Sequence, residues 1–78
     1  MTEIAYDLLI DAKGLQCPLP LLRTKQTLVG MRSGQVLKVV ADDDTTKMSF
    51  TSYLKKSGDE LLTIEEFEEE IHHYIRKK

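Results

Sequence analysis

The sequence predicts an α/β chain of the α+β kind: a two-layer sandwich in the order β-α-β-α-β-β, with a mixed four-stranded sheet and two helices on one face. Three observations lead there. Apolar residues alternate or run in short β-branched clusters in four places, and in two others they recur every three to four residues. Glycine, proline and acidic turns separate these segments. A length of 78 residues, with no repeat or linker, suits one domain spanning residues 1–78, so both amphipathic helices must bury their stripes on the same sheet.

The first strand is read from Tyr6 to Asp11, closed by a turn at Lys13-Gly14 in which Gly14 supplies a positive φ. Pro18 suits the first position of a helix, since the N–H it lacks would be unpaired there; that helix runs to about Met31. Leu21, Thr24, Leu28 and Met31 fall on one face of it and should pack on the sheet. Ser33-Gly34 breaks the helix, and Gln35 to Ala41, rich in valine, reads as a buried strand. Asp42, Asp43 and Asp44 follow, with Asp44 or Thr45 placed to cap a second helix that runs to about Ser57. Phe50, Tyr53 and Leu54 form its apolar face, and Gly58 ends it in a left-handed conformation. A third strand extends from Glu60 to about Phe67. The last, Ile71 to Lys77, sets Ile71, His73 and Ile75 on one side and His72, Tyr74 and Arg76 on the other, so one side is buried. The first β-α-β unit should be parallel and right-handed, and the short final connection makes an antiparallel hairpin.

Charge and composition narrow the function. A formal net charge of −2 argues against direct nucleic-acid binding through general electrostatic attraction, and makes a protein the default partner. No apolar stretch approaches the roughly 20 residues of a membrane span, and the N-terminus lacks the basic and hydrophobic regions of a leader, so no membrane is expected and the chain is placed in the cytoplasm. A lone cysteine also fits a reducing compartment. The acidic block Glu65, Glu66, Glu68, Glu69 and Glu70 and the basic end Arg76, Lys77 and Lys78 read as solvated surface.

Cys17 is the residue through which chemistry could run. It stands between Gly14 and a proline-marked helix start, where the helix dipole and first-turn N–H groups favour a thiolate. Pro18 and Pro20 remove two of those amides and leave Leu19, Leu21 and their neighbours to face an anion. Lys13 and Arg23 are nearby cations by sequence, and also ordinary surface charges. With no second cysteine, an internal disulfide and a Cys-x-x-Cys pair are excluded, so sulfur chemistry must be completed by a partner. Two plainer readings stand beside this one. Cys17 could be a small buried apolar residue, and the prolines ordinary helix-start punctuation.

The run Asp11-x-x-Gly14-Leu15-x-Cys17-Pro18-x-Pro20, followed by Leu21-Leu22, resembles the TusA/SirA family of small sulfur-carrier proteins, whose hallmark is Cys-Pro-x-Pro at a helix start. The likeness continues through Gly34-Gln35-Val36-Leu37, Ala41-Asp42-Asp43 and Ser57-Gly58-Asp59-Glu60-Leu61. It implies the same β-α-β-α-β-β sandwich, and a cysteine, here Cys17, that accepts a persulfide sulfur from a donor such as a cysteine desulfurase and hands it to an acceptor protein. Gly14, Pro18 and Pro20 support the motif. In that scheme no metal or organic cofactor is required, and the protein is a sulfurtransferase-type carrier rather than a stand-alone enzyme. Family members feed tRNA wobble-uridine thiolation, molybdenum-cofactor synthesis or dissimilatory sulfur metabolism. The second half departs from the family pattern: Asp44 replaces a proline, Ser49-Phe50-Thr51 replaces an Asp-x-Pro, and Leu54 stands where some members carry a second cysteine.

Other signals carry less. His72 and His73 are adjacent on a strand, so they face opposite ways and cannot share a metal ion. Asp42, Asp43 and Asp44 lack calcium-loop spacing and read as helix-capping residues. The scattered aromatics suit a core better than a base-stacking platform. Two rival functions follow from the residues: a non-catalytic regulatory or RNA- or protein-binding module in which Cys17 merely caps a helix, and a one-cysteine redox protein that forms a sulfenic acid.

Overall fold

The computed structural model describes residues 4–16 and 18–78. The expected element order is observed: β1 (Leu8–Asp11), α1 (Leu19–Val29), β2 (Val36–Ala41), α2 (Thr45–Ser57), β3 (Glu60–Glu66) and β4 (Ile71–Arg76). The sheet runs β1-β2-β4-β3, with β1 parallel to β2 and both other pairs antiparallel. It is the mixed sheet the sequence predicts. The shortest dimension of the molecule is 19 Å, which is the thickness of two layers about 10 Å apart.

Side-chain parity explains why the helices sit on one face. On β2, Leu37, Val39 and Ala41 are fully buried, and on β4 Ile71, His73 and Ile75 point the same way. Against them α1 lays Thr24 and Leu28 and α2 lays Thr46, Phe50 and Leu54. Both helical stripes are those expected from spacing, with Pro20 and Thr46 added to the core. Thr24 is tolerated there because its hydroxyl donates to the Pro20 carbonyl at 2.9 Å.

The elements differ from expectation mainly at their ends. β1 is shorter than Tyr6–Asp11 because Asp7 turns its carboxylate to the Val36 amide at 2.8 Å, while its own amide donates to the Val36 carbonyl. α1 starts one residue late, with Pro18 as the cap and Pro20 in the first turn, and it ends at Val29, before Gly30. Gly14 and Gly58 adopt the positive φ values expected, +83° and +86°, and the Gly58 amide closes α2 on the Leu54 carbonyl. Tyr74 is a larger surprise. It lies on the sheet face away from the helices, yet is only 5% exposed; the Lys38 ammonium, 5.4 Å from its ring and 5.2 Å from that of Tyr6, shows how the N-terminal segment and Lys38 shelter that face.

Candidate functional site

The parallel pairing of β1 with β2 brings the two strand-to-helix loops side by side. Both strands end at the same edge of the molecule, in the register Asp11↔Val40, so the loop leading into α1 and the loop leading into α2 leave together. In α/β folds such carboxyl ends of strands are where functional loops gather. Here the two loops enclose a shallow open depression lined by Gly14, Leu15, Gln16 and the stretch from Asp42 to Thr45.

The first loop is fixed amide by amide. Ala12 N–H donates to the Val40 carbonyl at 2.7 Å and Lys13 N–H to the Asp11 carboxylate at 3.1 Å. Gly14 N–H donates across to the Asp42 carboxylate at 2.9 Å, and Leu15 N–H returns to the Ala12 carbonyl at 3.2 Å. Gly14 can take its left-handed conformation without strain because it has no side chain. Leu15 packs against the core and anchors the loop from below, leaving Gln16 and Pro18 exposed.

Cys17, the expected nucleophile, lies outside the described residues. Its neighbours in the motif do not play the parts the sequence suggests. Pro18, expected at the first helical position, is the exposed cap of α1, whereas Pro20 is buried in the core. The Leu19 amide, one of those expected to face an anion, is spent on the Gln16 carbonyl at 2.9 Å. Leu22 N–H is likewise bonded to the Pro18 carbonyl at 3.0 Å. Leu19 and Leu22, one helical turn apart, are each nearly half exposed beside the loop.

Among the charged residues, Lys13 is held by Glu70 at 3.3 Å, and this hydrogen bond raises its ammonium above the ordinary lysine value. Glu70 in turn receives the His72 Nε2–H at 2.8 Å; that bond first, and the one from Lys13 second, hold its carboxyl below the usual range. Lys47 pairs with Glu66 at 2.7 Å. Two members of the acidic block, Glu70 and Glu66, thus form exposed surface ion pairs with Lys13 and Lys47, in keeping with the reading of that block as solvated surface. An anion brought to the depression meets the carboxylates of Asp42 and Asp44, which oppose it.

The aspartates divide their work. The capping role expected of Asp44 or Thr45 falls to Asp43, whose carboxylate accepts the Thr45 N–H at 2.9 Å and its hydroxyl at 2.8 Å. The Asp43 carbonyl accepts the Thr46 amide and hydroxyl. Asp44 makes no capping bond through its side chain. Asp42 instead reaches the other loop, a role the sequence reading missed. The strand register could have signalled it, since continuing the pairing Asp11↔Val40 a few residues onward lays Gly14 beside the Asp42 turn. His72 and His73 do face opposite ways: His73 is fully buried against Phe50, and His72 stacks on Phe67. Among the described residues, no three His, Cys, Asp or Glu side chains gather as a metal site. No helix among them is long and apolar enough to cross a membrane.

Fold and site together define a small two-layer α+β domain whose conspicuous surface feature is one tightly tied loop carrying a single cysteine. The family described as Sulfurtransferase TusA matches residues 9–77, and the chain belongs to that family. A sulfur carrier protein TusA from Allochromatium vinosum is 44% identical over 72 residues, covering 92% of this chain and 95% of that one. Another of the same description, from Pseudomonas putida, is 35% identical over 78 residues, covering 100% and 98%. The crystal structure of a SirA-like protein from Desulfitobacterium hafniense superposes with a TM-score of 0.80 at 27% identity, over 90% of this chain and 96% of that one.

Proposed function

We propose that the protein is a sulfur carrier that holds a sulfur atom as a persulfide on Cys17, receives it from a cysteine desulfurase and relays it to an acceptor protein. The observation that carries this reading is the family match over residues 9–77, which includes the Cys17-Pro18-Leu19-Pro20 motif. The Cys17 thiolate attacks the terminal sulfur of the donor's persulfide; the new S–S bond forms as the old one breaks, and the donor leaves as a thiolate. An acceptor thiolate then attacks the terminal sulfur on Cys17 and returns Cys17 to its starting thiolate. No outside oxidant or reductant enters, because each step exchanges one S–S bond for another.

The surroundings favour a carrier over a turnover enzyme. The depression is shallow and open, so water exclusion and alignment must come from a docked partner. Its carboxylates suit partners that present basic groups, and Leu19 and Leu22 offer exposed apolar surface on the first turn of α1, next along the chain. The family resemblance extends the reading to cytoplasmic sulfur relay, with tRNA thiolation among the destinations. Intact mass after incubation with a cysteine desulfurase and free cysteine tests it. Wild type gains one sulfur atom that reductant removes, and Cys17→Ser gains none; no gain by wild type with several active desulfurases would sink the proposal.

A further inference from the structure

We infer that Asp42 is a positioning residue: by accepting the Gly14 N–H it locks in place the loop segment that immediately precedes Cys17 in the chain. The inference rests on the carrier reading for its functional consequence and on geometry for the clamp itself. The bond is 2.9 Å long, joins residues 28 apart in sequence, and is a side-chain tie that crosses from the α2 loop to the α1 loop. Gly14 is the position in the first loop with a left-handed backbone, where one misdirected peptide would redirect everything up to Pro18. The neighbouring amides are satisfied by groups of the same loop or of β2, so none of them can replace Asp42 in linking the two loops.

Asp42 is well suited to the task. It follows directly on Ala41, the last residue of β2, which is fully buried, so its backbone is anchored by the sheet. A charged acceptor makes the stronger kind of hydrogen bond. Asp43, next in the chain, is committed to α2 through Thr45 and Thr46, which holds the loop that carries Asp42 from its other end. The clamp is thus braced on both sides, and Gly14 is the backbone position that it restrains.

Asp42→Asn and Asp42→Ala separate the hydrogen bond from the charge, because the asparagine side-chain oxygen accepts the same N–H without the negative charge. Two readouts are compared in the full chain: hydrogen exchange of the Gly14 amide by NMR, and the rate of sulfur acceptance at Cys17 from a persulfurated cysteine desulfurase. Asp42→Ala is expected to speed Gly14 exchange about tenfold, the value of one charge-assisted hydrogen bond, and to slow acceptance by a similar factor or more. Asp42→Asn should restore both to within about threefold of wild type. Unchanged Gly14 exchange in Asp42→Ala overturns the inference, as does an Asn variant as impaired as the Ala variant, which would assign the effect to charge. A wild-type protein that accepts no sulfur would refute the carrier reading, and Gly14 exchange would then decide the role of Asp42 alone.

Discussion

Acid should destabilise this fold through His73, a fully buried imidazole on β4. The ring lies 4.4 Å from the Phe50 ring, with Nε2 3.3 Å from the Thr46 hydroxyl and Nδ1 3.4 Å from the Val39 carbonyl. Burial is the largest influence and pulls its pKa from 6.5 down to about 4; the Val39 carbonyl opposes the change and the nearby His72 adds to it. The folded value is therefore depressed, and between about pH 6.5 and 4 the unfolded chain binds the extra proton. Stability is fully present above that window and falls as the pH drops through it. At about 1.4 kcal/mol per pH unit, the gap costs about 3 kcal/mol, a large share of what a domain of this size possesses. Urea unfolding of wild type and His73→Leu at roughly pH 7 and pH 4 isolates the effect, since the carboxylates titrate in both proteins. The difference between them should move by about 3 kcal/mol in favour of the variant at the lower pH. An unchanged difference, or an NMR titration of the His73 ring near its ordinary value, would refute the reasoning.

Two further outcomes test other parts of the structure. Asp43→Ala removes the bonds that cap α2 and should cost about 1 kcal/mol in thermal unfolding, with Asp43→Asn recovering most of it. Leu19→Asp combined with Leu22→Asp places charge on two half-exposed positions, so the melting temperature should hold while sulfur acceptance from the desulfurase falls about tenfold or more; equal acceptance would remove this pair from the docking surface.

The layers were legible in the sequence because burial here follows period. Thr24 and Leu28 on α1, Phe50 and Leu54 on α2, and the His73 side of β4 all lie where helical or strand spacing puts them, and Met31, expected at the end of the first helix, is buried just beyond it. What resisted reading depends on groups that meet through the fold rather than along the chain. Tyr74 is buried on the face away from the helices by residues from the N-terminal segment and β2. Pro20 reads from the sequence as helix-start punctuation, and its burial in the core depends on how the first turn of α1 meets the sheet. Three consecutive aspartates gave no hint of which would cap and which would reach another loop, because that choice is set by the register of β1 on β2. Lys13, read as a cation near Cys17 in sequence and as an ordinary surface charge, is an exposed residue paired with Glu70 from the turn before β4, a partner that the chain order does not reveal. The family was legible in the motif, while the acidic character of the depression lined by Gly14, Leu15 and Gln16 was not.

The most direct test of the account follows the sulfur itself. Wild-type protein loaded by a cysteine desulfurase with sulfur-labelled cysteine is alkylated, digested and mapped by mass spectrometry, before and after an acceptor thiol is added. The account predicts label on the peptide containing Cys17 and its loss to the acceptor thiol. Label that never reaches Cys17, or that stays there when an accessible acceptor is supplied, would contradict it.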